Sequence, residues 1–522
     1  MTRESDYTVR SALASFCKWN ASSEIIVDES TRYTGERLYR EAKIFAQALQ
    51  AQGIVPGDRI AFMGPSSCRF FAAYFGAHLL GCVTCNIHMR ESAGFIGLTL
   101  ANIAANVVVC SESLASIVSA GVEESGRSIT IMTLGDELIE AADEAYGSLL
   151  KKFPDELPDV CVSPDDTAII ILSSGSTGAP KGILHSNRNF VSWLRAGPSL
   201  FGHVSRATRF LVIVGTSFAA WPFSTIPVLY AGGTLVLVDG FTPQGFCEKV
   251  QQEKITMAGP VPTMIRMLTP DITAQYDLSS FRMMLCAGEP PTTQDIERIL
   301  SWADTDIRCL YLASESAPGA STFWELADLQ MRNQAVCAGK PIAGADLRVV
   351  DPDGGIDDEM PNGETGELVL KGSTISQGYL NNPELSASRF IEGWWRSGDL
   401  GRVDDNGYVH VEGRTDNTIN SGGIKVQGEE VEVCLIAHPV VDQVAVIGVS
   451  DEKWGQRIEA HVAVNRAIDE QALREHCSAH LAPFKCPKNY IFHEQLPVGV
   501  TGKLDRVSLR KTYAVDQTQG EG

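Results

Sequence analysis

The apolar run Ala168 to Leu172 leads directly into the segment SSGSTGAPKG, Ser173 to Gly182. That junction constrains the chain more than any other feature. The run reads as a buried strand, and a strand of that kind ending in a loop rich in glycine and hydroxyls belongs to a sheet whose strand ends face a ligand. Gly175, Gly178 and Gly182 let the backbone approach that ligand closely. The hydroxyls of Ser173, Ser174, Ser176 and Thr177 supply hydrogen bonds, and Lys181 supplies positive charge. The combination suits a polyphosphate. It is not a Walker A loop, in which glycine directly precedes the lysine and Ser or Thr follows it. A plain Gly/Ser turn is the alternative, but it rarely carries this density of hydroxyls and a lysine after a buried strand.

Further strand-like runs, at Phe210 to Val214, Leu235 to Val238 and Arg282 to Ala287, alternate with amphipathic stretches such as Gln294 to Trp302, the signature of a wound α/β sheet. After about residue 340 the texture changes to short strands separated by Asp, Gly and Asn turns: Leu347 to Val350, Gly366 to Leu370 and Tyr408 to Glu412. This predicts a β-rich subdomain. The charged turn GRTDN, 413–417, marks a boundary. Beyond it, strands at Val444 to Val449 and Ala460 to Val464 and helices at Glu429 to Ala437 and Glu470 to His480 suffice for a small α+β domain. The fold class is therefore α/β, with a large multi-subdomain N-terminal domain, 1–413, and a small C-terminal domain, 418–522.

Composition narrows the partners. With 43 basic against 64 acidic residues the formal charge is −21, which repels nucleic acid and anionic lipid on average. Met1 to Arg10 shows no secretory or lipidation signal, so the expected location is cytoplasmic. Phe210 to Val238 carries no charge over a length that could span a bilayer, but Pro222, Pro227 and Gly232-Gly233 break it into short pieces. Thirteen cysteines without a tight framework read as reduced, mostly buried thiols. Cys82 and Cys85 are expected in the core. His476, Cys477, His480 and Cys486 read as a surface helix and loop, and no structural metal is expected.

The Ser173–Gly182 loop resembles the phosphate-binding signature of the adenylate-forming superfamily, which includes acyl-CoA synthetases, peptide-synthetase adenylation domains and luciferases. Further segments resemble that family's motifs in its order: CAGEP at 286–290, YLASE at 311–315, Gly-Tyr-Leu at 378–380, WWRSGDLGRVDDNGYVHVEGR at 394–414, NSGGIKVQGEEVE at 420–432 and TGK at 501–503. The resemblance implies roles for these residues. Tyr311 would stack on adenine, beside the backbone of Gly288, Glu289 and Pro290. Glu315, with Ser314 next to it, would hold Mg²⁺, a hard cation suited to carboxylate and phosphate oxygens. Asp399 would accept hydrogen bonds from both ribose hydroxyls. Arg414 would contact the nucleotide, and Asp416 would be the hinge of the linker 414–417. Lys503 would be the main catalytic residue, a fixed cation beside the carboxylate and the α-phosphate.

The implied reaction has two steps. A carboxylate attacks MgATP to give an acyl adenylate and pyrophosphate, and a thiol then attacks the adenylate and releases AMP. Ser421, Gly422 and Gly423 would line a channel for coenzyme A, reached when a mobile small domain rotates. Phe218, Trp221, Ala287 and Leu312 would line the acyl pocket, whose apolar character suits an aryl or medium to long aliphatic acid. Leu312 and Ser314 replace the family's usual glycine and threonine, and Gln427-Gly428 stands where a proline is often found. Two other readings stay open: an adenylation enzyme that loads a carrier protein, and a non-catalytic nucleotide-binding protein. Quaternary structure is also open, a homodimer included.

Overall fold

The computed structural model describes residues 7–173, 181–202, 204–287, 293–302, 304–316, 322–324, 336–342, 345–421, 424–451, 453–498 and 504–515. The chain divides into two compact units. The first comprises 1–332, 338–347 and 370–395, and the second 333–337, 348–369 and 396–522.

The first unit contains two wound sheets. In one, the strand Thr167–Ser173 lies between Val83–Asn86, its parallel neighbour, and Lys181–Ser186, its antiparallel neighbour. Arg59–Met63, Val107–Cys110 and Thr130–Thr133 continue the parallel part. In the other sheet, Thr234–Leu237, Arg209–Val212, Met257–Ala258, Met283–Ala287 and Asp306–Tyr311 run parallel side by side. Their near-continuous apolar sequences follow from burial on both faces. Strands and helices fall within a few residues of the runs anticipated from sequence, including the helix Thr293–Trp302.

The uncharged stretch 210–238 folds as strand, helix and strand. Its helix, Ala220–Tyr230, has 11 residues, about half of what a bilayer span requires. Among the described residues no helix is long and apolar enough to cross a membrane. Cys82 and Cys85 are buried, and loss of solvation pushes the Cys85 thiol up to about 12. Both serve as small apolar residues.

Between the sheets' elements, helices Gly35–Ala51 and Cys68–Leu80 pack so closely that a Cβ on Gly76 would lie 2.7 Å from the Ala42 carbonyl oxygen. On the first of these helices Glu41 is buried. Its carboxylate accepts from Arg37 Nε at 2.9 Å and from the hydroxyls of Tyr33 and Tyr146, the latter at 3.0 Å. Burial, reinforced by the Glu41 charge, raises the pKa of both tyrosines, so the hydroxyls remain donors. Glu41→Ala strands two buried hydroxyls and should lower unfolding free energy by about 3 kcal/mol, whereas Tyr146→Phe should cost about 1 kcal/mol. Urea titrations of the two variants check this, and equal midpoints would contradict it.

In the second unit the hairpin of 396–403 and Val409–Arg414 precedes the C-terminal α+β domain. There the sheet runs Ile424–Gln427, Thr418–Ser421, Gly455–Val464, Val441–Asp451, with Asn489–His493 pairing parallel to Gly455–Val464. Helices Gly428–Ile436 and Glu470–His480 close its core through Val431, Leu435, Leu473 and Cys477. Gln427 uses its amide to donate to Thr418 Oγ1 at 3.1 Å, which ties the two strands of the first hairpin of this domain.

Candidate active site

In the first unit the candidate site begins at a ladder rung. Ser173 pairs with Lys181 across the antiparallel strands, so both ends of the hydroxyl-rich segment are fixed by backbone hydrogen bonds. Gly378–Tyr379 adds to the same sheet, with Tyr379 opposite Ile183. This register brings the Tyr379 ring under Lys181, whose Nζ lies 5.9 Å from the ring centroid, a cation–π contact. The Tyr379 hydroxyl donates to Glu315 Oε1 at 3.0 Å. Burial first, and then the Glu315 charge, raises the pKa of Tyr379, which keeps its proton on that bond.

The segment 311–315 is held at three further points. Its first residue, Tyr311, ends the strand Asp306–Tyr311, whose parallel neighbour ends at Ala287, opposite Leu310. Tyr311 and Ala287 thus stand at the carboxyl ends of adjacent parallel strands, where α/β sheets bind ligands. At the other end, the Ser376 amide donates to the Glu315 carbonyl at 2.8 Å. Between them, His185 Nε2 lies 2.8 Å from the Ser314 carbonyl oxygen. A carbonyl only accepts, so Nε2 carries the proton. Burial lowers His185 to about 4, and the ring is therefore neutral near pH 7.

His185 and Tyr379 were not singled out in the sequence as site residues. Tyr379 lies in the Gly-Tyr-Leu segment, which is a usable signal. For His185 the signal is weaker: a lone histidine in the strand that follows the loop.

The expected acyl-pocket residues separate. Leu312 and Phe218 are partly accessible, and Phe218 meets the His88 ring edge-on at 5.8 Å. Trp221 is a core residue. Its indole is fully buried against Phe70, Phe71 and Tyr74 and donates from Nε1 to Ser66 Oγ at 2.7 Å. As the start of the helix Ala220–Tyr230 it faces the interior, because aromatic surface with a satisfied N–H is most stable there.

The second unit contains a separate constellation around Asp399. Glu367 is buried, accepts from Arg396 at 2.7 Å and receives the Gly398 amide at 2.9 Å. Ser397 Oγ donates to the Leu368 carbonyl and accepts from the Asp399 amide at 2.9 Å. Gly398 has φ +76°, a conformation that a residue with a Cβ resists. These contacts aim Asp399, and the strand register places it opposite Arg414. Arg414 donates to Asp399 Oδ1 at 2.8 Å and to Asp416 Oδ1 at 3.1 Å. The residues expected to hold ribose, to contact the nucleotide and to form the hinge are therefore joined by one guanidinium. Ser421 is buried opposite Ile424. Ser174, Gly175, Ser176, Thr177, Gly178, Gly288, Glu289, Pro290, Gly422, Gly423 and Lys503 lie outside the described residues.

Comparison with known proteins identifies the class. Residues 14–380 match the family described as AMP-binding enzyme, and residues 430–503 match the AMP-binding enzyme C-terminal domain. The chain belongs to the AMP-binding enzyme family. A feruloyl-CoA synthase from Amycolatopsis sp is 31% identical over 92% of this chain and 94% of its own length. A long-chain-fatty-acid–CoA ligase, FadD13, from Mycobacterium tuberculosis is 30% identical over 94% of this chain and 95% of its own. Among solved structures, the anthranilate CoA ligase AuaEII in complex with anthranoyl-AMP superposes with a TM-score of 0.87 at 23% identity, covering 99% of this chain and 100% of that one. ATP-bound MatB from Rhodopseudomonas palustris gives 0.86 at 24% identity, covering 98% and 99%. The chain is an AMP-forming acid–thiol ligase that uses ATP.

Proposed function

We propose that this ligase activates an apolar carboxylic acid, aryl or medium to long aliphatic, as its acyl adenylate and transfers the acyl group to coenzyme A. The observation that carries the nucleotide chemistry is the Lys181–Tyr379–Glu315 contact chain beside the carboxyl ends of the strands bearing Tyr311 and Ala287. It joins a phosphate-attracting cation to a carboxylate oriented by a protonated phenol. The adenine would lie on Tyr311, the ribose on Asp399, with Arg414 released toward the nucleotide. Phe218, Leu312 and Ala287 would meet the acyl group.

The donor set fits magnesium. Glu315 is a hard carboxylate oxygen donor flanked in sequence by the hydroxyls of Ser314 and Ser316, which is the chemistry that Mg²⁺ selects. When bound, the ion would neutralise phosphate charge. The chain's own residues do the remaining work: Tyr379 and the Ser376 amide orient Glu315, His185 holds the Ser314 carbonyl, and Lys503 would supply the cation for the developing charge. The linker 414–417 would be the hinge between domains 1–413 and 418–522, and Ser421, Gly422 and Gly423 would border the thiol.

Relatives named for ferulate, fatty acids and indoleacetate support an apolar acid. A relative named as a fatty acid–[acyl-carrier-protein] ligase, 27% identical, keeps a carrier protein as the second acceptor. The test is AMP release from ATP over a panel of aryl and aliphatic acids, with and without coenzyme A. The proposal expects one apolar class to release AMP in a CoA-dependent manner. AMP formation that ignores CoA would transfer the second step to a carrier protein, and activity confined to short or charged acids would overturn the substrate class.

A further inference from the structure

The C-terminal domain contains a second cluster of reactive side chains with no part in the chemistry above. In sequence, His476, Cys477, His480 and Cys486 resemble an ordinary surface helix and loop because the residue that completes them is remote. Helix Gly428–Ile436 packs against helix Glu470–His480 and delivers Cys434 to the two histidines. One ligand atom from each of Cys434, His476 and His480 lies within 4.8 Å of the other two.

The imidazoles are already oriented. His476 Nε2 lies 2.9 Å from the Cys434 carbonyl oxygen, and His480 Nδ1 lies 2.8 Å from the His476 carbonyl oxygen. Each carbonyl demands a proton, which leaves the lone pair on Nδ1 of His476 and on Nε2 of His480. A backbone carbonyl holding the far N–H is how metal-binding histidines are usually fixed. The two rings lie 4.5 Å apart at 39°, on the same face one helical turn apart. Cys434 and His476 are partly buried and His480 is exposed, so the cluster is open to a solvated ion.

We propose that Cys434, His476 and His480 form a zinc site, with solvent as the fourth ligand, that fastens the two helices together. One sulfur and two imidazole nitrogens match zinc and disfavour Mg²⁺ or Ca²⁺. Bonds of about 2.0–2.3 Å in a tetrahedral site hold ligand atoms roughly 3.5 Å apart, and the atoms here already lie within 4.8 Å of one another. The competing use of these groups is a disulfide, since the Cys434 and Cys477 thiols share a hydrogen bond.

The experiment uses the full, tag-free, reduced chain, stripped with chelator and titrated with Zn²⁺ against a chromophoric competitor. One ion per chain is expected, together with a rise in melting temperature. Co²⁺ in place of Zn²⁺ should give thiolate-to-cobalt charge-transfer absorption. Cys434→Ser should abolish that absorption, and both Cys434→Ser and His480→Ala should weaken Zn²⁺ binding by at least the roughly 10- to 100-fold that losing an outer-shell partner of a ligand costs. His480 is exposed at the helix end, so its replacement tests the site without challenging the core; far-ultraviolet circular dichroism confirms folding of each variant. Three results would overturn the site: no stoichiometric binding, binding unchanged in both variants, or a Cys434–Cys477 disulfide as the resting state in peptide maps made without reductant.

Discussion

Lys503→Ala is expected to slow acyl-adenylate formation by about 10²- to 10³-fold, the usual cost of deleting one preorganised charge stabiliser. At its reference pKa a lysine is a cation and not a base. Its proposed work is to hold the carboxylate against the α-phosphate while negative charge shifts toward the bridging oxygen, and that work exists only in the first step. Thioester formation from preformed acyl adenylate and coenzyme A should therefore persist in the variant within a few-fold. Single-turnover assays of the two half-reactions separate these outcomes. Equal losses in both would assign Lys503 a structural role, and a loss below about tenfold in the first would remove it from the chemistry.

Glu315→Gln should lower adenylate formation on the order of 10²-fold and raise the Mg²⁺ concentration needed for half-maximal rate. The substitution retains size and keeps an oxygen able to accept from the Tyr379 hydroxyl, now 3.0 Å from Oε1, while the Ser376 amide still binds the backbone. What it removes is the charge. Tyr379→Phe supplies the contrast, since it deletes one hydrogen bond and leaves the carboxylate. It should change the rate far less and leave the Mg²⁺ requirement near that of the parent. Magnesium titrations of both variants decide the matter: an unshifted Mg²⁺ dependence in Glu315→Gln would mean that Glu315 orients the 311–315 segment without meeting the ion.

Much of this protein was legible along the chain because its signals are local. The strand Thr167–Ser173 and the helix Glu470–His480 each rest on periodicity within about ten residues. The family followed from motifs in order, and the chain matches it over 14–380 and 430–503. Trp221 was misplaced for the opposite reason. Three residues after Phe218 it looks like a second pocket aromatic, yet Phe218 precedes the helix Ala220–Tyr230 and Trp221 lies within it, where Phe70, Phe71 and Tyr74, remote in sequence, enclose its ring.

The sequence by itself determined the fold class and the adenylate-forming family, since each depends on residues that are neighbours in the chain. Tertiary structure alone decided which residues meet: Tyr379 touches Glu315, His185 touches Ser314, Arg414 touches Asp399, and Cys434 comes within 4.8 Å of His476 and His480. These contacts are set by strand register and helix packing between distant segments. One residue of register shift would turn a side chain to the opposite face of its sheet, and no local pattern records that choice.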